Sequence, residues 1–298
     1  MKTKVYSIGA ITLMFAWINM ALVFSDVVQT HQLDFEEIET IDTPVISANR
    51  QTACAITNTA FMAGEEIVYK IYYNWNFIWL PAGEVVFKTE DAGELFHITA
   101  TGRTYSSYEW FFKIRDKYEV FVSKETLLPV TAIRNVHEGG YKLYDKLEFD
   151  QQNRKITSLR GKTKENAVLR SFDVKDCLHD ILSIVYHVRN LKVETLSEGD
   201  EVPIKIFMDK EVWPLKVKYE GKEPNKKIKD SGRFNTIKVS PEVIVGDVFT
   251  EEAKMNIWVT DDDNKLPLLI ESPVSIGSVK VVLKTYNGLR HQMNARTK

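Results

Sequence analysis

Histidines and closely spaced carboxylates are the residues of this chain that could do chemistry, but their spacing matches no catalytic motif. None of the six histidines belongs to an HxH or HExxH arrangement. His179 and His187 lie eight positions apart in one predicted helix, roughly 12 Å along its axis, so they could not easily share a metal ion. We interpret them as residues of a polar helix face, and we expect neither a metal nor a cofactor.

The carboxylates do not form a clear acid–base pair either. Glu65 and Glu84 each follow a glycine near the first predicted hairpin, where two carboxylates could act on a glycan. Exposed strand-edge glutamates are the alternative. The run Asp261–Asn264 lacks the ligand spacing and the glycine of a calcium loop, which favours a solvated turn. The chain also lacks GxSxG, a phosphate-binding glycine loop and a dinucleotide fingerprint, so we predict that the protein is not an enzyme.

The two cysteines, Cys54 and Cys177, indicate a disulfide rather than a metal site. Neither lies in a CxxC or CxH arrangement. An even count in an exported protein favours pairing. A bridge between them would close a very long loop, which the chain-entropy model values at about 4–5 kcal/mol.

Residues 1–25 have the pattern of an export signal. Lys2 and Lys4 precede an apolar run from Val5 to Phe24, and Ser25 is an acceptable cleavage position. We predict a signal peptide over 1–25, with an uncleaved membrane anchor as the alternative, and a polar linker over 26–53. No later stretch approaches 18 apolar residues, so a membrane contact is expected only through an uncleaved N-terminal segment.

Removal of this segment leaves 37 basic and 41 acidic residues, a net charge of −4. A nucleic-acid-binding protein is usually basic overall. We therefore expect no nucleic-acid partner.

Alternation with a period of two dominates the remaining sequence. In Phe61–Phe87 the residues at positions 67, 69, 71, 73 and 75 are large and apolar or aromatic, and Pro81–Gly83 indicates a turn. Similar runs recur to Tyr286, whereas Asp176–Leu191 has helical spacing. We predict a mainly β fold in one domain over 54–286. It has a large, strongly curved antiparallel sheet (a barrel or half-barrel), one main α-helix at about 176–191, and a tail over 287–298.

Aromatic side chains are the candidate lining of a ligand cavity, because a sheet of this size can enclose more space than its own side chains fill. A packed core is the alternative. The candidates are Tyr69, Tyr73, Trp75, Trp79, Phe87, Phe121, Trp213, Tyr219 and Trp258.

Several segments, in their order along the chain, resemble the bacterial family named domain of unknown function 3108. They include Phe61–Glu65, Phe112–Asp116, Asp180–Arg189, Ser231–Phe234 and Ile257–Asp262, and the resemblance covers roughly residues 56–286. It implies an exported, β-rich envelope protein whose curved sheet is similar to that of lipoprotein carriers, and it implies no catalytic residues.

The expected function is binding of an apolar ligand such as a lipid or acyl chain, in the periplasm or at the outer-membrane periphery. The alternative is a structural or assembly role with a protein or polysaccharide partner of the envelope.

Overall fold

The computed structural model describes residues 54–75, 78–110, 112–243, 254–274 and 277–297. The predicted signal peptide (1–25) and linker (26–53) lie outside the described residues. Within these ranges the chain is built from β-strands, with one short α-helix and three single turns of 3₁₀ helix.

The strands alternate with tight turns over nearly the whole described chain. They are β1 Glu66–Trp75, β2 Ile78–Ala92, β3 Leu95–Thr104, β4 Arg115–Ser123, β5 Pro129–Glu138, β6 Tyr141–Asp150, β7 Lys155–Gly161, β8 Val168–Asp173, β9 Glu201–Met208, β10 Glu211–Ile228, β11 Gly232–Pro241, β12 Asn256–Thr260, β13 Pro267–Pro273, β14 Ser278–Asn287 and β15 Arg296–Thr297. The helix, α1, spans Ser183–Val188.

All fifteen strands belong to one antiparallel sheet made of two meanders. The first runs from β1 to β8 and the second from β9 to β14, and the pairing of β1 with β14 joins them. The predicted large antiparallel sheet is therefore confirmed. β15 lies off this order and pairs with β11.

The sheet is open, because β8 and β9 end the strand order and no ladder joins them in the described part of the chain. The two ends nevertheless approach each other. His179, which follows β8, forms a parallel bridge with Ile206 of β9, and the N–H of Phe207 donates to the carbonyl of His179 at 2.8 Å. The closed-barrel alternative therefore does not describe this sheet, which is open.

The core lies on one face of the sheet, as the alternation predicts. In β4, Tyr118, Val120 and Val122 are buried, whereas the residues between them are more accessible. Helix α1 packs on this face, where Ile184 and Tyr186 join the same hydrophobic core.

The first hairpin differs from the sequence prediction. Pro81 lies inside β2 rather than in a turn, opposite Tyr72 and next to a register irregularity in the β1–β2 ladder, where Ala82 of β2 has no partner in the register. Such an irregularity locally disrupts the ladder, which is where a strand accommodates a residue without an N–H.

The helix is much shorter than the predicted span of 176–191. Upstream of α1 the backbone of His179 pairs with β9 as a strand would, which uses the groups that a helix needs for its own hydrogen bonds, and Cys177 is tied to Cys54 by the disulfide. The chain turns into the helix at Asp180, whose carboxylate accepts hydrogen bonds from the N–H groups of Leu182 and Ser183, both at 2.9 Å. The helical spacing of apolar residues in 176–191 thus predicted a longer helix than the one that forms, because only residues 183–188 are helical.

The disulfide between Cys54 and Cys177 is present, with Cα atoms 6.2 Å apart and the two residues 123 positions apart in sequence. It ties the segment before β1 to the segment before α1. Residues beyond β14, expected to be a tail, also return to the fold: β15 pairs with β11, and the N–H of His291 donates to Asn264 at 3.0 Å.

Candidate functional site

An apolar cavity of about 150 Å³ lies between α1 and the core face of the sheet. Its wall combines α1, the segments on either side of it, and seven strands (β1, β2 and β9–β13). The aliphatic members are Ile67, Ile181, Leu182, Ile184, Val185, Val188, Leu191, Val193, Leu196, Val202, Val217, Ile237, Val239, Ile257, Val259 and Ile270. Such a lining excludes strongly hydrated ligands and favours hydrocarbon.

Helix α1 is fixed over the cavity by a buried ion pair at its end. The Arg189 guanidinium makes two bonds to the Glu65 carboxylate, 2.6 and 2.8 Å long, and its Nε donates to the carbonyl of Asn264 at 3.1 Å. Both charged side chains are almost inaccessible to solvent, at 3% and 0%. Burial opposes charge, but the Glu65 carboxylate raises the pKa of Arg189. Arg189 is thus a cation of the wall that is already paired.

The second cation of the wall, Lys265, lies at a more open position. Its ammonium is 3.0 Å from the carboxylate of Glu194, whose side chain is 63% exposed. Glu194 belongs to a 3₁₀ turn, Val193–Thr195, whose first residue lines the cavity. This pair places polar groups where the apolar wall meets solvent.

Three of the aromatic candidates line the cavity: Tyr69, Phe87 and Tyr219. The rings of Tyr69 and Phe87 meet edge to face with centroids 5.7 Å apart. The Tyr69 hydroxyl donates to the carbonyl of Pro267 at 3.0 Å, and burial raises its pKa, so the group stays neutral.

Five other candidates do not line it. Tyr73 is buried beyond the cavity, and Phe121 stacks on His97 with centroids 4.5 Å apart. Trp79 and Trp258 lie under lysine ammonium groups, at 4.4 and 4.0 Å from Lys280 and Lys226. The indole N–H of Trp213 donates to the carbonyl of Met208 at 3.2 Å. The side chain of Trp75 lies outside the described part of the structure.

Most of the wall is aliphatic, and the sequence reasoning based on aromatic residues missed it. In β12, Ile257 and Val259 line the cavity while Trp258 between them does not. The alternation of aliphatic residues in β9–β13 was the available signal, because residues two apart share a face.

The two helix-region histidines lie together rather than apart, contrary to the sequence interpretation. The ring centroids of His179 and His187 are 4.3 Å apart, because residue 179 precedes the helix. His179 is buried and His187 is partly buried. Burial lowers the pKa of His187 to about 4, and burial together with His187 lowers that of His179. Both imidazoles are therefore neutral at pH 7. Among the described residues, no three His, Cys, Asp or Glu side chains cluster as a metal site would require.

The two carboxylates weighed as an acid–base pair each have a cationic partner. Glu65 pairs with Arg189, and Glu84 lies 2.6 Å from the ammonium of Lys284. Burial opposes ionisation of Glu84, but the hydrogen bond and charge of Lys284 lower its pKa. Elsewhere, burial raises the pKa of Asp116 to about 6, although the N–H of His137 donates to its carboxylate at 2.8 Å.

The fold and cavity together define an open, curved antiparallel sheet with an apolar space under a short helix. The chain belongs to the family described as protein of unknown function DUF3108, whose profile matches residues 68–284. A search of curated proteins gives no match.

Two solved structures match this chain at very low sequence identity. The beta-barrel-like protein of domain of unknown function DUF1849 from Brucella abortus is 9% identical, with a TM-score of 0.52, over 76% of this chain and 98% of that one. This likeness supports the fold alone. The hypothetical protein CT021 from Chlamydia trachomatis is 10% identical, with a TM-score of 0.33, over 80% of this chain and 92% of that one. In the described ranges, no helix has the length and apolar character needed to cross a bilayer.

Proposed function

We propose that the protein is a non-catalytic binding module of the cell envelope that holds an apolar ligand, such as a lipid or acyl chain, in the cavity beneath α1. The observation that carries the proposal is the wall of that cavity, which is almost entirely aliphatic and aromatic. An apolar space of this kind stays free of water and gains free energy when hydrocarbon fills it.

The size of the cavity limits what it holds without rearrangement. Ligand pockets usually measure about 300–1,000 Å³, whereas an apolar cavity of roughly 150 Å³ accommodates a molecule the size of benzene. A cavity of 150 Å³ therefore accepts one end of an acyl chain. A longer chain requires the wall to open.

The polar groups of the wall suggest where the head of such a ligand lies. Arg189 is committed to Glu65 in the interior, whereas Lys265 meets the exposed carboxylate of Glu194. An amphiphile would place its chain against the aliphatic wall and its polar end near Lys265.

Two features support a location in the periplasm or at the outer-membrane periphery. Residues 1–25 have the pattern of an export signal. The Cys54–Cys177 disulfide is of a kind that persists in oxidising compartments.

Titration with a fluorescent medium-chain fatty acid tests the proposal. Val239 lines the cavity, so Val239→Phe should fill it and weaken binding about tenfold or more, a loss of about 1.4 kcal/mol. Val212→Phe is the matched control, because Val212 is 41% exposed and outside the cavity. Equal affinities of the two variants, or no binding by the natural chain, would reject the apolar-ligand function.

The exposed end strand β8 favours a second candidate, a structural or assembly role. Val168 and Leu169 at its start are 58% and 66% exposed, and an edge strand can pair with another chain. A stoichiometric protein partner recovered from envelope extracts, and lost in Leu169→Lys, would favour this role over ligand binding. Turnover in a broad hydrolase screen, abolished by Asp116→Asn, would argue for an enzyme instead.

A further inference from the structure

A second cleft of about 480 Å³, lined in large part by basic residues and called the basic cleft below, lies where the two ends of the sheet face each other. β6, β7 and β8 form one wall, and the turn between β9 and β10 forms the other. It shares no lining residue with the apolar cavity. Five cationic residues line it: Lys142, Arg160, Lys162, Arg170 and Lys210.

Strand register places two of these cations on one face of the sheet. Arg170 lies opposite Ser158, and Arg160, two residues further along β7, lies opposite Val168. Residues opposite each other in a ladder point to the same face, as do residues two apart. Arg160 and Arg170 therefore converge on the cleft instead of diverging into solvent on opposite faces.

The acids beneath the cleft are already neutralised. Arg160 bonds Asp145 at 2.7 Å and Asp209 at 2.6 Å, and Arg134 bonds the same two carboxylates at 2.5 and 2.7 Å. Two arginines thus balance two aspartates.

The other four cations are not balanced in this way. No acidic residue is among those lining the cleft, and within the described ranges Lys142, Lys162, Arg170 and Lys210 take part in no recorded ion pair. The cleft therefore carries excess positive charge.

The turn that carries Lys210 has an unusual backbone for its sequence. Asp209 and Lys210 form the two-residue loop between the paired residues Met208 and Glu211, with φ angles of 54° and 71°. Left-handed angles at both positions are typical of turns with Asn-Gly or Asp-Gly, because Asn and Asp tolerate the first angle and glycine adopts the second without strain. Here a lysine stands where glycine fits best, and its position brings a cation to the cleft.

We propose that this cleft is a binding site for a phosphate-bearing ligand, held by Arg170, Lys162 and Lys210 above the Arg160 network. Guanidinium and ammonium groups bind phosphate through short, charge-assisted hydrogen bonds. The size of the cleft is that of a small-molecule pocket, so it accommodates a phosphorylated headgroup rather than a phosphate ion alone.

The variant Lys210→Gly tests ligand binding without disturbing the fold. Glycine suits the left-handed angle at this position, so the variant should keep or raise the melting temperature of the natural chain. Isothermal titration with inorganic pyrophosphate should show an affinity that falls about tenfold in Lys210→Gly and again in Arg170→Gln. It should also weaken as salt rises from 50 to 300 mM, because the attraction is electrostatic.

Lys155→Gln is the matched control. Lys155 is exposed at the end of β7 away from the cleft, and its substitution removes one positive charge, as Lys210→Gly does. Its affinity should equal that of the natural chain. An equal loss in Lys155→Gln and Lys210→Gly would overturn the site, because it would show only a response to net charge.

A parallel experiment distinguishes a free phosphate compound from a lipid headgroup. Co-sedimentation is measured with phosphatidylcholine vesicles, with and without phosphatidylglycerol. If the protein binds pyrophosphate but not the vesicles, the ligand is a soluble phosphate compound. Binding to the anionic vesicles that is lost in Lys210→Gly assigns a headgroup. Binding to neither probe, by a folded natural chain, would overturn the proposal.

Discussion

Neutralising Glu65 should destabilise the fold far more than neutralising its neighbour Glu66. Glu65→Gln leaves the guanidinium of Arg189 buried without its carboxylate, although that side chain is only 3% exposed. Breaking a buried pair by removing one partner costs about 3–5 kcal/mol. For a domain of this size, each kcal/mol lowers the melting temperature by about 2–4 °C, so we expect a drop of ~6–20 °C.

Glu66 provides the control, because it also forms an ion pair, 2.8 Å from Lys88, but both partners are about half exposed. Exposed pairs contribute about 0–1 kcal/mol, so Glu66→Gln should change the melting temperature by a few degrees at most. Calorimetry or urea denaturation under non-reducing conditions measures both variants.

The double variant Glu65→Leu with Arg189→Met tests the coupling directly. Because it leaves no unpaired charge, its cost should be smaller than the sum of the two single costs by at least about 2 kcal/mol. Additive costs, or a loss below about 1 kcal/mol in Glu65→Gln, would refute the view that a desolvated ion pair anchors α1.

Two further predictions concern acid and reduction. His187 titrates near 6.5 when unfolded and at about 4 when folded, so between these pH values the unfolded state binds more protons and stability falls as pH falls. The loss of unfolding free energy reaches about 3 kcal/mol below pH 4, at about 1.36 kcal/mol per unit of pKa shift. Urea denaturation at a series of pH values should show a smaller loss of stability at acid pH in His187→Gln than in the natural chain. The exposed His137→Gln is the control and should behave like the natural chain. Reduction of Cys54–Cys177 should cost about 4–5 kcal/mol, since the closed loop exceeds 120 residues. An unchanged melting temperature, with full reduction verified by a two-hydrogen mass gain, would contradict that value.

The sequence was sufficient to predict the strands, the disulfide and the family, because each depends on a local pattern or on a single pair of residues. Alternation identifies a strand wherever one face is buried, as in β4 and β6. Two cysteines allow only one intramolecular pairing.

The members of the cavity wall could not be predicted, because which face of a strand points inward depends on register. Irregularities between Ile71 and Tyr72, and between Trp258 and Val259, interrupt the ladder. A one-residue slip exchanges the two faces of a strand. Large aromatic residues therefore predicted the strands correctly. Of the nine aromatic candidates for the cavity lining, only Tyr69, Phe87 and Tyr219 line it.

The helix boundaries and the basic cleft depend on contacts between distant segments. The spacing in 176–191 satisfies a helical pattern, but the disulfide and the bridge from His179 to Ile206 hold its first part in another conformation. The cleft joins Arg170 to Lys210 across forty residues of sequence and two sheet ends. Neither feature has a local signal.

Native mass spectrometry of the mature protein purified from periplasm, followed by solvent extraction, tests ligand binding most directly. The account predicts a discrete added mass that solvent extraction releases as a lipid or fatty acid. A ligand-free mass, combined with no mass gain after incubation with a medium-chain fatty acid, would contradict the proposed function.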